Sequence, residues 1–264
     1  MKKRIFVLCG VVLLVFVTSC SKYEKLLKSS DYNLKYQKAK EYYHEKEWVR
    51  AATLFEQIIP VFRATLKADT IAYMHAYCYY HQADYLLAGH YFKSLTQTFP
   101  TSGYVEEAAF MNAFCLYLSS PRPSLDQTYS LQAIDAFTLF AIKFPNSERV
   151  PETKEYVTEM RNKLIEKSYM GAKLYYDMGK YKASIIALRN SIADFPDTKY
   201  REEILFLTLK SSYLLAENSI IQKQKERYQA TVDEYYSFVT EYPESKYSKE
   251  AEKMYNVSLE KSKE

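Results

Sequence analysis

One short turn recurs four times along the chain: Phe99-Pro100-Thr101-Ser102, Phe144-Pro145-Asn146-Ser147, Phe195-Pro196-Asp197-Thr198 and Tyr242-Pro243-Glu244-Ser245. In each, the proline stops a helix, and the Asp, Ser or Thr after it can cap the next one by accepting a backbone N–H bond. Upstream of each proline runs an amphipathic segment, such as Ala88-Gly89-His90-Tyr91-Phe92 before Pro100 and Ala133-Ile134-Asp135-Ala136-Phe137 before Pro145. Between these punctuation marks the chain has almost no breakers. Only 5 Gly and 8 Pro occur in 264 residues, less than half the usual share, which excludes loop-rich and all-β designs. With 48% hydrophobic residues, a chain of this length can bury a sizeable core. An all-helical protein follows.

A second landmark sets the helices in pairs. Small residues stand twelve positions apart, Ala39 with Ala51, Ala76 with Ala88, and Ala172 with Ser184, where two antiparallel helices need to approach closely. Gly179-Lys180-Tyr181 falls between the last pair, and the following Ser184-x3-Leu188-x7-Pro196 resembles the tetratricopeptide (TPR) pattern. Five copies are centred on first-helix residues Ala39, Ala76, Ala113, Ala172 and Ser212, the first two intervals both being 37 residues. The expected fold is all-α, a right-handed TPR solenoid of about five helix-turn-helix repeats with a C-terminal capping helix within Lys246 to Glu264. Repeats one to three occupy 35–145, and repeats four and five with the cap occupy 146–264. The fourth copy has a long leading helix, Pro151 to Met178, while copies three and five carry inserts, Ser119 to Ser124 and Ile220 to Lys225. Inserts in a solenoid are expected as loops on one edge.

The first residues carry a different signal. Lys2, Lys3 and Arg4 precede an apolar run from Ile5 to Val17, too short to cross a hydrocarbon core of about 30 Å as a helix. A charged start, a short apolar core and small residues make a secretory signal. Val17-Thr18-Ser19-Cys20 resembles the bacterial lipobox, which implies a signal peptide over 1–19, a lipidated Cys20 and a tether over 20–34. Several acyl chains hold a soluble domain stably at a membrane. Ser21, in place of the aspartate that marks inner-membrane retention, points to the outer membrane, and no dense acidic run for surface export follows. Removing 1–19 leaves 33 Lys+Arg against 32 Asp+Glu, a balance poorly suited to nucleic acid. It also leaves two thiols free of lipid, Cys78 and Cys115. They occupy equivalent positions on stacked repeats about 8–10 Å apart, beyond the roughly 7 Å a disulfide spans, so no bridge is expected.

Reaction chemistry finds no foothold. The five glycines form no phosphate loop and the four histidines no H-E-x-x-H. His75, Cys78 and His81 share a helix but spread too far around it for a compact metal site. Glu41, His44 and Glu45 read as a solvated helix end, and nothing resembles a nucleophile elbow. No catalytic residue, cofactor or metal is expected. What stands out is 27 Tyr and 14 Phe, many on first helices at offsets −3, +1 and +4 from the small residue, within about 60° of one another on a helical wheel. Tyr36, Tyr43, Tyr73, Tyr77, Tyr80, Phe110, Phe114 and Tyr117 are the candidate peptide groove. The same stripe continues through Lys40, Tyr169, Lys173 and Tyr176. Such rings suit an extended peptide or a sugar; equally, they suit packing between neighbouring helices with hydroxyls at the surface.

Taken together, the lipobox, the five repeats, the insert Ser120-Pro121-Arg122-Pro123-Ser124-Leu125-Asp126-Gln127-Thr128 and the turns Phe144 to Arg149 and Asp194 to Glu203 resemble the BamD family of outer-membrane assembly lipoproteins, in a form like that of the Bacteroidota. The resemblance implies a non-enzymatic subunit of the β-barrel assembly machinery, lipid-anchored at the periplasmic face of the outer membrane. Its implied partners are a BamA-like barrel protein, bound through POTRA domains by the C-terminal repeats, other assembly lipoproteins, and unfolded outer-membrane proteins. By position in the fold, Lys199, Tyr200 and Arg201 are the candidate BamA contact. Two other functions fit a TPR lipoprotein: a SusD-like glycan binder, though such chains have long inserts absent here, and a periplasmic TPR adaptor.

Overall fold

The computed structural model describes residues 22–263, and among these every regular element is helical. Eleven helices longer than two turns succeed one another. They are α1 (Tyr32–His44), α2 (Trp48–Phe62), α3 (Ala68–His81), α4 (Tyr85–Thr98), α5 (Val105–Leu118), α6 (Thr128–Lys143), α7 (Val150–Asp177), α8 (Tyr181–Asp194), α9 (Arg201–Glu217), α10 (Ile221–Glu241) and α11 (Ser248–Lys261). The pairs α1–α2, α3–α4, α5–α6, α7–α8 and α9–α10 are the five expected hairpins, and α11 is the cap. The chain divides into two compact units, residues up to Ser120 with Thr128–Val157, and Pro121–Gln127 with Thr158 onward. The division falls inside α7, a little beyond the expected boundary after residue 145.

In the first unit each helix packs on the next, from α1 to α6. Ala39, Ala51, Ala76, Ala88, Ala113 and Ala133 are fully buried where helices meet, as the spacing requires, and Phe55, Phe92, Phe137 and Phe140 fill the layers between them. Gly89 marks the tightest approach: a Cβ there would stand 3.2 Å from Cys115 Cβ. A helical stretch at 22–27 precedes α1, and its Tyr23, Leu26 and Leu27 lie against the first core. In the second unit Tyr169 and Ala172 of α7 pack with Leu188 of α8 and Ile204 of α9. Further along, Phe206 and Leu209 of α9 pack with Phe238 of α10 and Met254 of α11.

Two turn types alternate. Within hairpins, Lys46, Ala83 and Gly179 adopt φ of 63°, 60° and 69°, the left-handed conformation that ends one helix and starts the next. Between hairpins, the Ser or Thr three residues after the aromatic donates its N–H to that aromatic's carbonyl: Ser102 to Phe99, Ser147 to Phe144, Thr198 to Phe195, Ser245 to Tyr242. Its hydroxyl then accepts the N–H two residues on, from Tyr104, Arg149, Tyr200 and Tyr247 at 3.0–3.3 Å. The hydroxyl thus closes an ST-turn in front of the helix instead of serving as its N-cap, which corrects the capping role expected from sequence. The same bonds occur at Phe62, Thr65 and Lys67, where Arg63 stands in place of proline.

Two further expectations are revised. The insert Ile220 to Lys225 is not a loop, because α10 begins at Ile221 and the insert lengthens it to 21 residues. The fifth repeat is centred on Leu209 and not Ser212. Counted from the residue before each first helix, Ala76 and Ala113 are ninth, after Lys67 and Tyr104, and the ninth after Tyr200 is Leu209. The thiols of Cys78 and Cys115 are free and buried.

Candidate functional site

With the fifth register set, the aromatic stripe extends through all five repeats. Offset −3 carries Tyr36, Tyr73, Phe110, Tyr169 and Phe206; offset +4 carries tyrosine every time, at 43, 80, 117, 176 and 213. The −3 rings are largely core, Tyr36 being 7% and Phe110 2% exposed. Each is covered by the residue that leads into the next first helix. Tyr104 stacks on Tyr73 at 4.3 Å, Tyr200 on Tyr169 at 4.2 Å and Tyr247 on Phe206 at 4.1 Å between ring centroids. Cations take the same place elsewhere, Lys67 Nζ 4.9 Å from the Tyr36 centroid and Arg149 Cζ 4.2 Å from that of Phe110. Stacked rings and cation–π contacts of this kind each add about 0.5–1.5 kcal/mol beyond burial. The −3 position therefore locks repeats together, and of the eight candidate groove residues Tyr36 and Phe110 serve the core.

The other six are half-buried and linked by ring contacts in the first unit. Tyr73 meets Tyr77 at 4.8 Å, Tyr77 meets Tyr80 at 6.0 Å, Tyr80 meets Phe114 at 6.5 Å and Phe114 meets Tyr117 at 5.7 Å. Tyr43 joins through two residues the sequence reading missed: it meets Trp48, Trp48 stacks on His81 at 4.1 Å, and His81 reaches Tyr77. Tyr156, also missed, closes the far end at 4.5 Å from Tyr117 and 5.5 Å from Phe114. Periodicity could not find these three, because none stands on a first helix at a stripe offset; only the fold brings them in.

Electrostatics hold the wall in shape. The Tyr77 hydroxyl donates to Glu107 at 2.5 Å, and Arg149 donates to the other Glu107 oxygen at 2.7 Å while lying over Phe110. Burial, reinforced by Glu107, pushes the Tyr77 phenol far up, and burial, with smaller contributions from Cys78 and Tyr73, takes Tyr43 up to about 12. These hydroxyls stay neutral at any physiological pH, so the wall presents apolar faces with fixed donors. His75, which faces away toward Glu56, is driven down to about 4 by desolvation, and the buried thiols of Cys78 and Cys115 are pushed up to about 12.

In the second unit the +1 position is a paired lysine and the +4 position stays tyrosine. Lys173 at +1 pairs with Asp177 at 2.8 Å, Lys210 at +1 with Glu250 at 2.7 Å, and Tyr213 at +4 donates to Glu217 at 2.7 Å. The candidate contact triplet sits at the α8–α9 turn: Tyr200 is stacked on Tyr169, Lys199 Nζ lies 5.0 Å from the Tyr200 ring, and Arg201 is paired with Glu241 and donates to the Pro196 carbonyl at 3.0 Å. Lys199 is exposed, and Arg201 is held in a fixed orientation at the surface. Cys20 and the signal segment 1–19 lie outside the described residues. No helix among the described residues is long and apolar enough to cross a membrane.

No curated protein matches the chain. The family model YfiO, outer membrane lipoprotein, matches residues 29–228, from just before α1 into α10. A match over three-quarters of the sequence, on a fold of stacked helical hairpins with an aromatic first-helix stripe, places this chain in the YfiO (BamD-type) family of outer membrane lipoproteins.

Proposed function

We propose that the protein is a lipid-anchored scaffold subunit of the β-barrel assembly machinery, held through Cys20 at the periplasmic face of the outer membrane. Its second unit binds the POTRA domains of a BamA-like barrel protein, with Lys199 and Arg201 beside Tyr200 at the contact. Its first unit receives unfolded outer-membrane protein along Tyr43, Tyr73, Tyr77, Tyr80, Phe114 and Tyr117. The role is recognition and positioning, without catalysis.

The observation that carries this reading is the change of chemistry at the +1 first-helix position between the two units in a family of outer membrane lipoproteins. Offset +1 is aromatic in repeats two and three, at Tyr77 and Phe114, and a charge-paired lysine in repeats four and five, at Lys173 and Lys210, while +4 is tyrosine throughout. Barrel precursors expose alternating apolar and aromatic residues on an unfolded chain, which a rigid aromatic surface binds with little entropy lost on the protein side. A folded partner is recognised better by oriented charges at a surface turn.

Affinity purification of the tagged full-length protein from solubilised membranes tests it. Recovery of a POTRA-bearing barrel protein is expected, and Lys199→Ala with Arg201→Ala weakens that recovery at least tenfold. A photo-crosslinking residue at Phe114 captures nascent barrel protein, while one at Glu244 does not. Recovery of a TonB-dependent transporter or of glycan enzymes in place of the barrel protein would refute the assignment.

A further inference from the structure

The turn between α9 and α10 exposes an apolar pair beside lysines. Ile220 and Ile221 are 64% and 82% exposed at the tip of the hairpin, where a polar cap residue is the norm. Like α2 and α8 at the equivalent tips, α10 has no side-chain cap and no acidic residue in its first turn, but it alone of the three is entered through two exposed isoleucines. Lys223 and Lys225 stand close behind, at the positive end of the helix dipole, where a cation costs a few tenths of a kcal/mol. Glutamates open helices after the connecting turns, Glu106 and Glu107 in α5, Glu202 and Glu203 in α9 and Glu250 in α11, whereas the helices after hairpin tips, α2, α4, α6, α8 and α10, have none in the first turn. Two exposed isoleucines among unfavourably placed lysines gain nothing for the folded chain, and such departures mark sites used for something else.

The neighbouring tips continue the pattern. Because α8 packs on α9, α9 on α10 and α10 on α11, the α7–α8 turn and the end of α11 lie at the same edge of this unit as the α9–α10 turn. Lys225 Nζ reaches the Lys263 carbonyl at 3.5 Å across that edge. The α7–α8 tip adds Met178, 58% exposed, with Lys180 and Lys182. Along the whole edge Lys180, Lys182, Lys223, Lys225, Lys261 and Lys263 outnumber Glu217, engaged by Tyr213, Asp177, paired with Lys173, Glu226 and Glu260. Apolar tips ringed by lysines match a surface with anionic groups outside and hydrocarbon beneath.

We propose that this edge of the second unit, led by Ile220, Ile221, Lys223 and Lys225, docks on anionic phospholipid and so gives the protein a second membrane contact besides its acyl chains. The inference relies on the outer-membrane lipoprotein reading only to bring the edge to a bilayer. It is separate from the POTRA contact, since Lys199 and Arg201 lie at the opposite ends of the same helices.

Site-directed spin labelling tests it. Ile221→Cys on the full-length lipidated protein takes the label selectively, because Cys78 and Cys115 are buried. The protein is reconstituted on phosphatidylethanolamine–phosphatidylglycerol vesicles and on phosphatidylcholine vesicles, with Glu244→Cys, at the far end of α10, as the label that stays in water. Immersion of the 221 label on the anionic vesicles alone is expected, and each of Lys223→Gln and Lys225→Gln lowers the immersed population about fivefold, equivalent to about 1 kcal/mol per lysine. A 221 label that stays water-accessible on both vesicles overturns the proposal, as does immersion indifferent to lipid charge. Protection that appears only after adding the barrel protein overturns it too and assigns the edge to a protein. Failure of the protein to remain on either vesicle would instead remove the anchored reading itself. Unchanged helical circular dichroism of each variant excludes misfolding as the cause.

Discussion

Ala83 closes the α3–α4 hairpin with φ 60°, at the same station where the α7–α8 hairpin has Gly179 with φ 69°. A side chain with a Cβ costs about 1–2 kcal/mol in that region. Replacing Ala83 by glycine removes the strain but restores about 0.5–1 kcal/mol of backbone freedom to the unfolded chain. The net expectation is a gain of about 0.5–1 kcal/mol. Nothing else changes, because the turn is held by backbone: Ala83 N–H bonds Tyr80 O at 3.0 Å, Asp84 N–H bonds Tyr79 O at 3.1 Å, and Asp84 caps Leu87 N–H at 3.2 Å. The reverse substitution supplies the control. A Cβ at Gly179 would have Tyr181 Oη as its nearest neighbour, at 3.9 Å, so Gly179→Ala meets no clash and suffers the backbone strain alone. It should lose what Ala83→Gly gains. Thermal unfolding followed by far-ultraviolet circular dichroism reads both, with midpoint temperature shifts of about 1–4 °C in opposite directions. A destabilised Ala83→Gly together with a neutral Gly179→Ala would refute the assignment of these turns as strained left-handed links.

Glu107→Ala strands the Tyr77 hydroxyl and Arg149 together and should cost about 2 kcal/mol in chemical denaturation, whereas Glu107→Gln, which keeps an acceptor, costs less. Gly89→Val forces α4 away from Cys115 of α5 and is expected to lower stability by about 1–3 kcal/mol; an unchanged midpoint would show that the helices separate freely. Tyr43, Tyr73 and Tyr77 have phenols raised chiefly by burial. A phenol whose folded value lies above its unfolded value near 10 contributes stability that is complete below pH 10 and lost as pH climbs toward the folded value. The first unit should therefore weaken progressively from about pH 10 upward, with tyrosinate absorbance rising together with unfolding; early tyrosinate absorbance in a still-folded protein would contradict the burial.

Much of the fold could be read from the residues that punctuate it. Small residues at Ala39, Ala51, Ala76 and Ala88 gave the hairpins their spacing, and they are fully buried at helix crossings. The fifth copy escaped because its central position holds Leu209, so a search for small residues slipped one turn to Ser212. The fifth connecting turn escaped because Arg63 replaces proline, although the aromatic at Phe62 and the hydroxyl at Thr65 keep its bonding intact. In the stripe, periodicity assigned three offsets to one face. It could not separate the −3 rings, each covered by a residue 31 to 41 positions later and buried except at Tyr73, from the +1 and +4 rings that remain half open. Burial across repeats depends on what the next turn lays over the helix, and a helical wheel contains no information about that turn.

The two ends of the hairpins in the second unit show where such local rules are kept and where they give way. At the connecting turns every device serves cohesion: Tyr200 and Tyr247 lie flat on rings of the preceding repeat, Ser245 donates to Glu202 at 2.6 Å, and Arg201 is paired with Glu241. Acidic residues open α9 and α11, as the helix dipole favours. At the hairpin tips these devices lapse. The helices after Lys180 and Ile220 start with no acidic residue, and apolar residues project into solvent beside lysines. A fold stabilised at one end by stacked turns can tolerate tips chosen for another surface, because the cost there is a few tenths of a kcal/mol per residue against about 1 kcal/mol for each stacked ring. That difference makes a test of independence possible: Lys223→Gln and Lys225→Gln should leave thermal stability unchanged or slightly raised while weakening contact with anionic lipid. Tyr247→Ala should lower stability by uncovering Phe206. If the lysine variants destabilised the fold as much as loss of the Tyr247 ring does, the tips would belong to the scaffold and not to a surface it presents.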